Sequence, residues 1–96
     1  AIKDLALVVD SKEPAETVRI RVEEIAQGVG KEKFAVDPVA IFDLFEGKGL
    51  PEGKKSLALT LRFRAPDRTL GEKELNQAFE EVIAGIGSET AYELRS

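Results

Sequence analysis

Asp43 and Phe45 stand two places apart in "AIFDLFEG", and Ser56, Ala58, Thr60, Arg62 and Arg64 occupy every second place in "KKSLALTLRFR". An aromatic ring offers a flat base a stacking surface, at about 1–3 kcal/mol per base. A carboxylate accepts hydrogen bonds from donors on a base edge, such as the ring N–H and amino group of guanine. Small residues let a base lie flat, and Lys54, Lys55, Arg62 and Arg64 are cations of the kind that meet phosphates. Each piece also has a plain use: Phe45 as a packed ring, Asp43 as a solubilising edge charge, Ser56 as a neutral strand residue.

Other chemistries are ruled out by residue type. The 96 residues contain no histidine and no cysteine, which excludes Ser-His-Asp and Cys-His nucleophiles, thiolate or imidazole metal sites and any disulfide. The loop "GKGLPEGKK" lacks the G-x-x-x-x-G-K-[ST] spacing of a phosphate loop and joins two strands instead of strand to helix. No catalytic residue, metal site or cofactor is expected. No apolar run reaches the roughly twenty residues of a membrane helix, and no signal-peptide pattern opens the chain. Absent cysteines fit a reducing, cytoplasmic setting. The start "AIKDLALVVD", already inside a strand pattern and without Met, fits a domain cut from a longer chain, with a trimmed start as the alternative.

Net charge is −4, yet it is unevenly spread. From Gly47 to Arg68 six cations face Glu52 and Asp67, a local +4, which leaves −8 on the remainder. A solvated charged face would explain this as well as a polyanion-binding one.

The elements that hold these residues follow from periodicity. Leu57, Leu59, Leu61 and Phe63 alternate with Ser56 to Arg64, the pattern of a strand buried on one face. In "IKDLALVV", Leu5, Leu7 and Val9 alternate with Asp4, Ala6 and Val8. Ala15, Val18, Val22, Ile25, Ala26 and Val29 form a helical stripe after Pro14, which suits a first turn, with Gly28 and Gly30 as the expected stop. "VDPVAIFDLFEG" reads as one strand with Pro38 near its start or on an edge. "APDR" breaks the third strand. A second helix starts near Thr69 or Gly71, since both Thr69–Glu72 and Gly71–Glu74 have capping-box spacing. Its stripe is Leu75, Ala78, Phe79, Val82, Ile83 and Ile86, with Gly85 and Gly87 expected to end it; "AYELR" is a short last strand.

The order β-α-β-β-α-β, as one domain over residues 1–96, predicts an α+β, ferredoxin-like fold with four antiparallel strands and both helices on one face. The other face stays open. Placing Phe42 and Leu44 inward puts Ile41, Asp43 and Phe45 on that open face, beside Ser56, Ala58, Thr60, Arg62, Arg64, Asp4, Ala6, Val8, Glu93 and Arg95. It is not a standard RNA recognition motif, because the outward places of the third strand hold Ala58, Thr60 and Arg62 where that motif needs aromatics.

The run "FDLFEGKGLPEGKKSLALTLRFRAPDRTL" followed by "EKELNQAFEEVI", with "IKDLALVVD" and "AYELR" at the ends, resembles the C-terminal ferredoxin-fold anticodon-binding domain of bacterial phenylalanyl-tRNA synthetase β subunits. The resemblance implies that the open face receives the anticodon loop of tRNA(Phe). It implies that Phe45 stacks on the first anticodon base, a guanine, that Asp43 and Ser56 contact this base, and that Ala6 forms part of the floor. It further implies a parent enzyme of two α and two β chains using ATP and Mg²⁺, its class II catalytic centre on the α subunit. The chain departs from the family where tyrosine is common at position 45, where "TLGEKE" replaces "TLTDEE", and where "GVGKEKFAVDP" is longer than usual. A regulatory or protein-docking domain of the same shape is the alternative. An acylphosphatase-like enzyme is disfavoured, because "VVDSKEPAET" places carboxylates where an anion would sit.

Overall fold

The structure, a computed structural model, describes residues 2–31, 33–65 and 69–95. Strand β1 (Ile2–Asp10) leads to helix α1 (Ala15–Gly30), then to β2 (Ala35–Val36) and β3 (Ala40–Phe45), and on to β4 (Lys54–Arg64), α2 (Glu72–Glu89) and β5 (Glu93–Leu94). β1 and β4 pair antiparallel along their length, from Ile2 opposite Arg62 to Asp10 opposite Lys54. β5 lies on the far side of β1, while β2 and β3 share the outer edge of β4.

The expected second strand is thus two strands, making five in the sheet. Pro38 has no N–H to give a ladder, so pairing lapses around it. The Asp37 amide still reaches the Arg62 carbonyl at 3.0 Å. Beyond the proline, side chains of α1 replace the ladder: Glu23 Oε1 accepts the Val39 amide at 2.7 Å, and Arg19 Nη1 donates to the Val39 carbonyl at 3.2 Å. These bonds satisfy a buried backbone that no strand could pair.

Alternation places the core. Leu5, Leu7 and Val9 of β1 and Leu57, Leu59, Leu61 and Phe63 of β4 face the helices and are buried. Val18, Val22, Ile25 and Ala26 of α1 and Ala78, Val82 and Ile86 of α2 meet them. The Phe34 ring closes one end, edge-on to Phe63 with centroids 5.3 Å apart.

Gly30 and Gly85 have another role than stopping helices. α1 runs through Gly28 to Gly30 and ends at Lys31, whose φ is 44° and whose amide bonds the Gln27 carbonyl. A Cβ on Gly30 would stand 3.0 Å from the Phe34 ring. α2 runs through Gly85 and Gly87 to Glu89. A Cβ on Gly85 would lie 2.8 Å from Ile25 Cγ2, so this glycine sets how closely the helices approach. Thr90 ends α2 instead, its amide and its hydroxyl both donating to the Ile86 carbonyl, at 3.0 and 2.7 Å. Of the two expected starts for α2, Gly71 is the N-cap residue. Pro14 stands one place earlier than expected, as the N-cap of α1. The break expected at "APDR" falls, for Pro66, Asp67 and Arg68, outside the described residues.

Candidate nucleic-acid interface

The strand registers map the helix-free face row by row. Phe45 lies opposite Ser56, Ser56 opposite Val8, and Val8 opposite Glu93. In the next row Asp43 lies opposite Ala58 and Ala58 opposite Ala6, and the Arg95 amide bonds the Ala6 carbonyl at 2.8 Å. The third row runs Ala40, Thr60, Asp4, and Arg62 follows opposite Ile2. Asp43 and Phe45 therefore share one face with Ser56, Ala58, Thr60 and Ala6.

A β-bulge makes this possible. The pairing slips between Ile41 and Asp43, so that Ile41 lies opposite Leu59 while Asp43 lies opposite Ala58. An extra residue in one strand resets its alternation. Two expectations are corrected by it. Ile41 packs against the core instead of facing outward. Phe42, expected inward, is the extra residue and is 59% exposed. Leu44 returns to the helix side opposite Leu57, near the sheet edge and half exposed.

The side chains are differently committed. Phe45 is 40% exposed, whereas Ser56 is 4% exposed although it lies on the helix-free face. Asp43 accepts the Leu44 amide on Oδ1 at 2.9 Å, which fixes the carboxylate beside the bulge. The Thr60 hydroxyl donates to Asp4 Oδ1 at 2.9 Å. Arg64 binds Asp37 through Nε and Nη2, both at 2.7 Å, and Arg62 Nε lies 3.7 Å from the same carboxylate. The two arginines at this end thus carry a shared counterion and a local net charge of +1. Lys54, opposite Asp10, extends the face beyond Phe45. Lys55 does not: it shares the parity of Leu57, faces the helix side opposite Val9 and is buried. Its parity was readable from the alternation of β4.

Two contacts were beyond sequence reasoning. Arg95 places its guanidinium carbon 5.2 Å from the Phe45 ring centroid. Asp37 gathers Arg62 and Arg64 across the strand break. Both join residues far apart in the chain, and no local spacing announces either.

Elsewhere the electrostatics stabilise the fold. Arg19 bridges Glu16 and Glu23 on α1, and its hydrogen bond holds the Glu16 carboxyl below its ordinary pKa. The Tyr92 hydroxyl donates to Glu13 Oε1 at 2.7 Å. Burial pushes that phenol up to about 12, the Glu13 hydrogen bond and charge add to the rise, and Arg21 opposes it. Among the described residues no three His, Cys, Asp or Glu converge to hold a metal ion, and no helix is long and apolar enough to cross a membrane.

An antiparallel sheet with two helices on one side, and an aromatic, a carboxylate and small residues together on the other, is the make-up of a ferredoxin-like domain with one open sheet face. The chain belongs to the ferredoxin-fold anticodon binding domain family, whose description it matches over residues 1–95. It is similar to the phenylalanine–tRNA ligase beta subunit of Corynebacterium efficiens, 53% identical over 76 residues, or 79% of this chain and 8% of that protein. The beta subunit of Thermobifida fusca is 39% identical over 95 residues, 99% of this chain and 11% of the relative. That of Geobacillus kaustophilus is 36% identical over 94 residues, 98% and 11% respectively. The chain spans about a tenth of the length of these relatives.

Proposed function

We propose that this domain binds the anticodon loop of tRNA(Phe) on its helix-free sheet face, as part of a phenylalanine–tRNA ligase beta subunit. The observation that carries the reading is the bulge at Phe42, which brings Asp43 and Phe45 onto one face above Ala58 and Ala6. Phe45 serves as the stacking ring for the first anticodon base, and the Asp43 carboxylate accepts from that base's donors. Ser56 completes the base site, Ala6 and Ala58 are its floor, and Thr60 borders it. Arg62, Arg64 and Lys54 lie where backbone phosphates run. Lys55 is left out, being buried on the other side.

The domain performs no chemistry in this reading. Aminoacylation with ATP and Mg²⁺, in an assembly of two α and two β chains with a class II centre on α, belongs to the parent enzyme. Cytoplasmic residence follows from that role. The body carries −4 overall, so binding draws on few phosphates and falls with salt along a shallow slope of about one to three.

Titrating the 96-residue chain with a tRNA(Phe) anticodon stem-loop, followed by amide chemical shifts, tests the assignment. The expected perturbations cover Asp43 to Phe45, Ser56 to Thr60 and Ala6. Perturbations confined to α1 and α2, or a concentration-dependent dimer indifferent to RNA, would instead favour a docking module.

A further inference from the structure

Arg95 follows β5 at the sheet edge opposite Phe45, and the Ala6 carbonyl anchors its backbone. Three strand spacings, about 14 Å, separate β5 from β3, more than one arginine side chain spans. Yet the guanidinium carbon lies 5.2 Å from the Phe45 ring centroid, within the range of a cation–π contact. The two side chains therefore reach toward each other from opposite edges and meet over the middle strands β4 and β1, which carry Ser56, Ala58 and Ala6. The 4% exposure of Ser56 on a face without helices is the expected mark of a residue beneath such a pair.

We propose that Arg95 is a placeholder for the base: in the free domain its guanidinium holds the stacking position at Phe45, and on binding it yields the ring to the base and takes a phosphate of the same strand. The proposal rests on the base-stacking role given to Phe45 above. A guanidinium and a base are both flat and exclude each other from the same ring face, and a base gains more from a ring than an exposed cation does. Among the described residues Arg95 is held by a ring and not by a carboxylate, so it leaves without breaking an ion pair. Arg62 and Arg64, by contrast, are tied to Asp37. Once displaced, the cation stands beside a stacked nucleotide, whose phosphate is the natural partner of a guanidinium.

The test combines side-chain NMR with salt-dependent binding of the tRNA(Phe) anticodon stem-loop. In the free wild type the Arg95 Nε–H proton should be shifted upfield by the ring, and Phe45→Leu should abolish that shift. Saturating stem-loop should abolish it too. Arg95→Gln should weaken binding severalfold and flatten the log–log salt slope by about 0.7, the value of one phosphate contact to a single strand; Arg95→Lys should keep the slope. A ring shift that persists at saturation, or an Arg95→Gln slope equal to wild type while Phe45→Leu still weakens binding, would overturn the placeholder alone. Binding that Phe45→Leu leaves unchanged would overturn the base-stacking role itself, and the placeholder with it.

Discussion

The two faces of one sheet obey opposite rules. On the helix side Leu57, Leu59 and Leu61 are wholly buried and belong to one hydrophobic core. On the other side the same strand shows Ser56, Ala58, Thr60, Arg62 and Arg64, among small and charged partners on β1 and β3. The first face stabilises the domain by removing apolar surface from water. The second is free to be shaped for a ligand because little stability depends on it. A ring placed there, like Phe45, is expected in the proposed reading to contribute to binding more than to folding.

The sharpest way to break that contrast is to truncate one residue on each face. Leu59→Ala should destabilise the domain by about 2–5 kcal/mol, the cost of a cavity in a packed core. Phe45→Ala should cost less than about 1 kcal/mol of stability, as surface changes do, while weakening the anticodon stem-loop by about 1–3 kcal/mol. Urea unfolding and a binding titration on the same preparations separate the two quantities. If Phe45→Ala unfolds the domain, the ring belongs to the core and the contrast fails.

A smaller effect sharpens the helix side. Gly87→Ala, with open space around its Cβ, should stabilise by up to about 1 kcal/mol through helix propensity. Gly85→Ala meets Ile25 Cγ2 at 2.8 Å and should destabilise by about 1 kcal/mol, overpacking outweighing the same gain. Equal stabilisation by both would show that the two helices are not in close contact at that point.

The least effect concerns Tyr92, whose phenol is raised from 10.0 to about 12. A raised pKa means that the folded state favours the protonated hydroxyl. Its contribution is therefore complete below about pH 10 and is lost as pH climbs toward 12. Urea unfolding from pH 9 to 12 should show wild type losing stability relative to Tyr92→Phe across that window. A constant difference between them would mean that neither burial nor the Glu13 bond biases the titration.

Much of this architecture was legible because strands β1 and β4 alternate without interruption, so each side chain's face follows from parity alone. The stripes of α1 and α2 were equally plain, since three- and four-residue steps admit one buried side. The failures have physical causes. Gly85 read as a stop because a glycine suited to close packing is the same letter as one suited to ending a helix, while Gly28 and Gly87 sit in the helices with open space around them. Ile41 and Phe42 were assigned to the wrong sides because a bulge adds a residue without a distinctive sequence mark. That Asp43 and Phe45 share a side followed from their parity with each other, and the expected outward side is the one the bulge gives them while it turns Ile41 inward. Asp37 and Arg95 act through partners distant in the chain, which periodicity does not reach.

The central claim is that the ring of Phe45 is the platform for the first anticodon base. It is tested most directly by comparing two anticodon stem-loops, one with guanine at that position and one abasic there, against wild type and Phe45→Ala. The account predicts that wild type prefers guanine by roughly 5- to 150-fold, the equivalent of one stacked base, and that Phe45→Ala loses most of this preference. Equal affinities for wild type, or a preference that survives intact in Phe45→Ala, would contradict it.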